Sequence, residues 1–165
     1  MNDSLRILIE ALREELKHYG EMLALLDRQQ DLVVARAADE ILDTVAAINA
    51  QSAAIHAARN HRENCRRSLA REWRLPENTP LTELALLLPA DYRPLIDALV
   101  EENNSLLLRV QQRARQNHLL LNRSMELMQR LISTLLPVDR STMYSGAGAL
   151  FAPSLPSRPL YEAVG

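Results

Sequence analysis

The chain has 165 residues, of which 47% are hydrophobic and 24% charged, with a net charge of −2. That is enough apolar material for a core, and too even a charge balance for an obligate nucleic-acid binder. Gly20 is the only glycine before Gly146, which excludes sandwiches, barrels and doubly wound sheets with their Gly-rich turns, and also a Gly-rich phosphate loop. A mostly helical chain remains, with a core of aliphatic residues because aromatics are only 4%.

Asp3 to Arg74 contains no proline and reads as one long helix, about 3–74. Leu5, Ile9, Leu12, Leu16, Tyr19, Leu23, Leu26 and Val33 recur in steps of four and three, the heptad seam of a coiled coil. After Val33 the steps become fours through Ala37, Ile41 and Val45, a stutter that unwinds a supercoil. The seam then turns Ala-rich, from Ala46 to Ala58, where a neighbouring helix is expected to come close.

Leu75 to Pro89 is a corner. Pro76, Asn78 and Pro80 break the first helix, and Thr79-Pro80 reads as an N-cap and first helical position for a short helix, about 80–88. A third helix, about 91–136, starts at Asp91 with Pro94 in its first turn and stops at Pro137. Its seam runs Ile96, Leu99, Asn103, Leu106, Val110, Arg113, Asn117, Leu120, Ser124, Leu127 and Leu131, and asparagine in a seam fixes register. Residues 137–165 carry Pro137, Pro153, Pro156 and Pro159 and most of the glycine, the composition of a flexible tail.

Charge segregates along the chain: −5 over residues 1–55, +4 over 56–74, −5 over 75–108 and +4 over 109–136. Folding at the corner sets Asp97–Glu102 against His56–Arg71, and Arg109–Arg130 against Asp27–Asp43. The expected fold is therefore all-α: a long antiparallel helical hairpin or coiled coil, 1–136, with a short corner helix and a flexible C-terminal tail, 137–165. At about 1.5 Å per residue the first helix spans roughly 105 Å and the third roughly 70 Å, so about 20 N-terminal residues lack a partner. Either the first helix bends, near Gly20 or Gln29-Gln30, or the Leu5–Leu23 seam meets a client or a second copy. A homodimer would use Leu5, Ile9, Leu12, Leu16, Tyr19 and Leu23.

Catalytic chemistry has little support. Glu15-x-x-His18 has di-iron ligand spacing but lacks the second copy such sites need, and His56 and His61 fall on different helix faces. Cys65 stands among Arg62, Arg66 and Arg67, which could lower its pKa, but no base or pocket accompanies it. The run Arg59, Arg62, Arg66, Arg67, Arg71, Arg74 could touch phosphate, but it also suits a helix C-terminus facing acids, and Trp73 closes a bundle end. No catalytic residue, metal or cofactor is expected. A single cysteine fits a reducing compartment, acids interrupt the apolar N-terminus that a signal peptide would need, and no window suits a membrane span. The chain is therefore expected in the cytoplasm, without membrane insertion or nucleic acid.

Near the end of the third helix, apolar residues from Leu119 to Leu136 cover much of the circumference. This reads as a wider core contact, or as an adaptable surface for partner helices that uses the flexible Met125 and Met128.

The chain resembles the flagellar export chaperones of the FlgN type. The resemblance rests on Glu14-Glu15-Leu-Lys-His-Tyr19 leading into Leu25-Leu26-Asp-Arg-Gln29-Gln30, and on Glu101-Glu102-Asn103-Asn104-Ser-Leu-Leu. It continues through Gln116-Asn117-His-Leu-Leu and Met128-Gln129-Arg130-Leu-Ile to Thr142-Met-Tyr144 with Gly148. It implies a cytoplasmic chaperone that binds the C-terminal helices of hook-filament junction proteins, prevents their premature assembly, and delivers them to the cytoplasmic domain of the type III export gate. By the resemblance, clients meet the C-terminal helical region. On this chain that is Leu120, Leu127, Met128, Leu131, Ile132 and Leu135. Tyr144 would dock to the gate. Residues 149–165 match no motif of the family. A coiled-coil dimerisation scaffold without a client is the alternative.

Overall fold

The computed structural model describes residues 3–135. Four helices follow one another: α1 (Asp3–Ala35), α2 (Ala38–Glu72), α3 (Leu81–Leu86) and α4 (Arg93–Leu135). The fold class is all-α, as the glycine and proline distribution requires. The chain forms two units: residues 1–128, which hold α1, α2, α3 and most of α4, and residues 129–165, of which the described part is the end of α4.

The expected single helix over 3–74 is two helices. It is continuous through Gly20 and Gln29-Gln30 and breaks at Arg36-Ala37 instead. Arg36 takes the left-handed conformation, φ 56°. Its N–H donates to the Val33 carbonyl (3.2 Å) and the Ala37 N–H to the Leu32 carbonyl (3.1 Å). That pair of bonds is a Schellman cap, a motif usually completed by glycine. Placing an arginine in this conformation costs about 1–2 kcal/mol. The turn it makes buries Leu5, Leu8, Leu12, Leu26 and Ile48, and each such side chain contributes about 1.5–3 kcal/mol. Burial wins by a wide margin, so the chain turns without a glycine. The end of α2 repeats the device: Arg74 has φ 57°, and Arg74 and Leu75 donate to the Arg71 and Ala70 carbonyls.

Arg36 is exposed and its side chain makes no ion pair among the described residues. Arg36→Gly should therefore relieve backbone strain and lose little else. The expected gain is about 0.5–1 kcal/mol after the larger unfolded-state entropy of glycine is counted. Thermal unfolding should rise by a few degrees; a lower midpoint would contradict the cap.

Long-range polar pairs define the topology of the first unit. Gln29 meets Thr44 at 3.4 Å and Gln51 donates to the His18 carbonyl at 3.0 Å, so α2 runs antiparallel to α1. Asn103 donates to the Leu12 carbonyl (3.1 Å) and Asn117 to the Leu26 carbonyl (2.7 Å). Both pairs are offset equally, so α4 runs parallel to α1 and antiparallel to α2. The expected two-helix hairpin thus becomes a three-helix packing. The two seam asparagines fix register as expected, each buried and each bonded to α1.

The seams shift accordingly. In α1 the fully buried line is Leu5, Leu8, Leu12, Glu15, Tyr19, Met22, Leu26 and Gln29, while Leu16 and Leu23 are half-buried. In α2 it is Thr44, Ile48, Ile55, Ala58, Cys65 and Leu69. Of the Ala-rich run, Ala58 is buried, but Ala46, Ala50, Ala53 and Ala57 face solvent.

Two clusters make the core. One joins Leu8 and Leu12 of α1, Leu69 of α2, Ala85 of α3 and Ile96 and Leu99 of α4, with Trp73 and Tyr92 packed on it. The other joins Tyr19, Met22 and Leu26 to Ile48 and Ile55, with Leu106 and Val110 of α4 against it.

At the corner, Thr79 does not cap the short helix. Its hydroxyl donates to the Pro76 carbonyl (2.7 Å), and Pro80 occupies the cap position of α3. Arg66 holds this loop to α2, donating to the carbonyls of Thr79 and Glu77 (2.8 Å). Glu63 orients Arg66 (2.9 Å), and the Arg66 hydrogen bonds hold the Glu63 carboxyl below its usual range.

Candidate interaction surface on the last helix

Most residues that carry chemical interest prove to be structural. Glu15 is 2% exposed. Its carboxylate accepts the Tyr19 hydroxyl (2.9 Å) and lies 3.4 Å from Arg62 Nε and 4.0 Å from Arg59 Nε. Burial, and then the Glu15 charge, push the Tyr19 phenol well above its usual pKa. His18 sits between Glu14 (3.3 Å) and Glu21 (3.4 Å), with Gln51 against its ring. Among the described residues no group of three His, Cys, Asp or Glu side chains could hold a metal ion.

Cys65 is buried 3.7 Å from His61 Nε2, and burial raises its thiol pKa. The nearby arginines do not activate it as their proximity in sequence suggests.

The arginine run finds its partners within the chain. Arg59 and Arg62 answer Glu15, Arg66 and Arg67 answer Glu63 (Arg67 at 3.2 Å), Arg71 reaches Glu77 (2.9 Å), and Arg74 forms the α2 cap. The expected facing of His56–Arg71 by Asp97–Glu102 yields no ion pair among the described residues. Its companion does: Arg113 meets Asp27 at 2.7 Å and also donates to Gln30. An open polar cleft of about 220 Å³ lies there, lined by Leu23, Asp27, Arg109, Gln112, Arg113 and Gln116.

The proposed dimer seam is corrected. Leu5, Ile9, Leu12 and Tyr19 are buried within the chain, and Leu16 and Leu23 are half-buried. The turn at Arg36 supplies α2 as the partner that a straight helix would have had to find elsewhere.

The end of α4 is different. From Asn122 to Leu135 every residue is exposed. In the first unit Leu120 is half-buried, while Leu127 and Met128 are open, as are Leu119 and Met125. In the second unit Leu131 (57%), Ile132 (52%) and Leu135 (76%) are open. Leu120 and Leu127 continue the three-and-four spacing by which Leu106, Val110 and Asn117 seat α4 against α1. The same face is a core contact in one stretch of the helix and bare in the next.

Val34 and Leu42, on either side of the α1–α2 turn, are also exposed. A straight helix has no turn there, so the sequence pattern gives these two residues no special place. The α1–α4 register places Val34 at the level of the residues around Met125. Tyr144 lies outside the described residues.

Among the described residues no helix is long and apolar enough to cross a membrane. No curated protein and no solved structure matches the chain. The model of the FlgN protein family matches residues 1–150, and the chain therefore belongs to that family of flagellar export chaperones.

Proposed function

We propose that this chaperone works in the cytoplasm and binds the C-terminal helices of hook-filament junction proteins on the α4 face formed by Leu120, Leu127, Met128, Leu131, Ile132 and Leu135. The observation that carries this reading is the run of exposed apolar side chains at seam spacing near the end of a helix whose earlier part is packed. An amphipathic helix laid along such a face hides the apolar surface through which the client would otherwise assemble early, and no covalent step is needed.

Delivery to the cytoplasmic domain of the export gate is assigned to Tyr144. Tethered close to the client site in sequence, the tyrosine would meet the gate at an effective concentration set by its linker. Burial of Leu5, Ile9, Leu12 and Tyr19 inside the chain removes the surface on which a dimerisation scaffold would depend.

Titration calorimetry of the full chain against a client C-terminal helix and against the gate domain tests the division of labour. Tyr144→Ala should leave client affinity unchanged and weaken gate binding about tenfold or more, the loss of an anchoring aromatic. Equal gate affinity in the two proteins would remove Tyr144 from the docking role.

A further inference from the structure

The charge of α4 reverses at Leu108. Asp97, Glu101 and Glu102 precede it, and Arg109, Arg113 and Arg115 follow. Two of these six charges are answered within the chain: Asp97 meets Arg93 at 3.8 Å, and Arg113 meets Asp27. The other four make no ion pair among the described residues.

Glu101, Leu108 and Arg115 stand seven residues apart, on one line along the helix. That line is turned away from the core. Leu106 and Val110, on either side of Leu108 in sequence, pack against the α1–α2 cluster, while Leu108 is 66% exposed and Glu101 and Arg115 are open to solvent. The lines beside it carry Ala98, Asn104, Ser105, Gln111 and Gln112, all neutral.

A leucine midway between a carboxylate and a guanidinium is complementary to itself. Turning a second copy end for end about an axis through Leu108 sets leucine on leucine. Each Glu101 then lies level with Arg115 of the second copy, about 10.5 Å from the axis on either side. A parallel arrangement would set like charges together, which fixes the direction.

We propose that the outer line of α4 is a self-association surface, on which a second copy of this chain packs antiparallel through Leu108 with Glu101 against Arg115 at both ends. This surface is separate from the N-terminal seam, which the fold buries. It also leaves Leu120 and Leu127 uncovered, since they belong to the line of Leu106 on the far side of α4. One leucine from each copy and two exposed ion pairs make a small contact. The chain is therefore monomeric at low micromolar concentration and pairs at about 100 µM and above.

Sedimentation equilibrium of the full chain from about 5 to about 500 µM, in about 50 mM and about 500 mM sodium chloride, tests this. Low salt should give a reversible monomer–dimer equilibrium, and high salt should weaken it. E101R and R115E each set like charges face to face and should weaken the dimer about tenfold or more. The double variant E101R/R115E reverses both charges and keeps them complementary, so its dimer should return to within about threefold of the unaltered one. Glu101 and Arg115 are exposed and unpaired, so all three variants should keep their helical circular dichroism.

A chain that stays monomeric to about 500 µM at low salt would overturn the proposal. So would a dimer that the single variants leave unchanged, or one that both weaken and the double variant does not restore.

Discussion

Leu12→Ala is expected to lower the free energy of unfolding by about 3 kcal/mol, within the range for truncating a leucine in a core that cannot collapse around the gap. Leu12 is 1% exposed, in the cluster shared by α1, α2, α3 and α4. Its carbonyl also receives the Asn103 amide, which fixes the backbone beside the cavity. Read from sequence, Leu12 belongs to a seam covered by a bend of the first helix, a client or a second copy. With a second copy as the cover, the substitution would weaken association and leave the monomer intact. Urea unfolding at two protein concentrations about tenfold apart separates the cases, because only a folding equilibrium coupled to association shifts with concentration. A midpoint that falls on substitution and is independent of concentration fits the intrachain core. A loss below about 1 kcal/mol, or a concentration-dependent midpoint, would contradict it.

Leu131→Asp with Ile132→Asp should weaken client binding about 100-fold or more. Each side chain covered by a client helix would contribute about 1.5–3 kcal/mol, and each new carboxylate would have to shed water against an apolar partner. Folding should be little affected, since Leu131 and Ile132 are already 57% and 52% exposed. The far-ultraviolet circular dichroism and the urea midpoint should stay near those of the unaltered chain. Client affinity that survives both substitutions would move the site off this face.

The helical class was legible because it depends on what the first 145 residues lack: one glycine cannot serve a sheet. The asparagines of α4 were legible too, since a polar residue at a seam position has few roles other than fixing register. The break at Arg36 was not. Helix stops are read from glycine and proline, and here the left-handed cap falls on an arginine, held by burial of two seams. Without a visible stop at Arg36, the N-terminal seam is left to a bend near Gly20 or Gln29-Gln30, a client or a second copy.

Glu15 was hidden for a related reason. A charged residue between apolar ones reads as solvent-facing, and only the fold-back brings Arg59 and Arg62 to it. The apolar residues near the end of α4 were visible as a surplus. Whether they are core or open surface depends on how much of α4 finds a partner, which differs between a two-helix hairpin and a three-helix packing. Leu120 and Leu127 sit at seam spacing under either topology, so the sequence singles them out whichever fold holds.

Hydrogen exchange of the full chain, measured by mass spectrometry with and without the client C-terminal helix, tests the central claim most directly. Amides from Leu119 to Leu135 should exchange more slowly with client bound, while those from Leu5 to Leu26, already inside the core, should be unchanged. Slowing confined to Leu5–Leu26, or none in α4, would contradict the account.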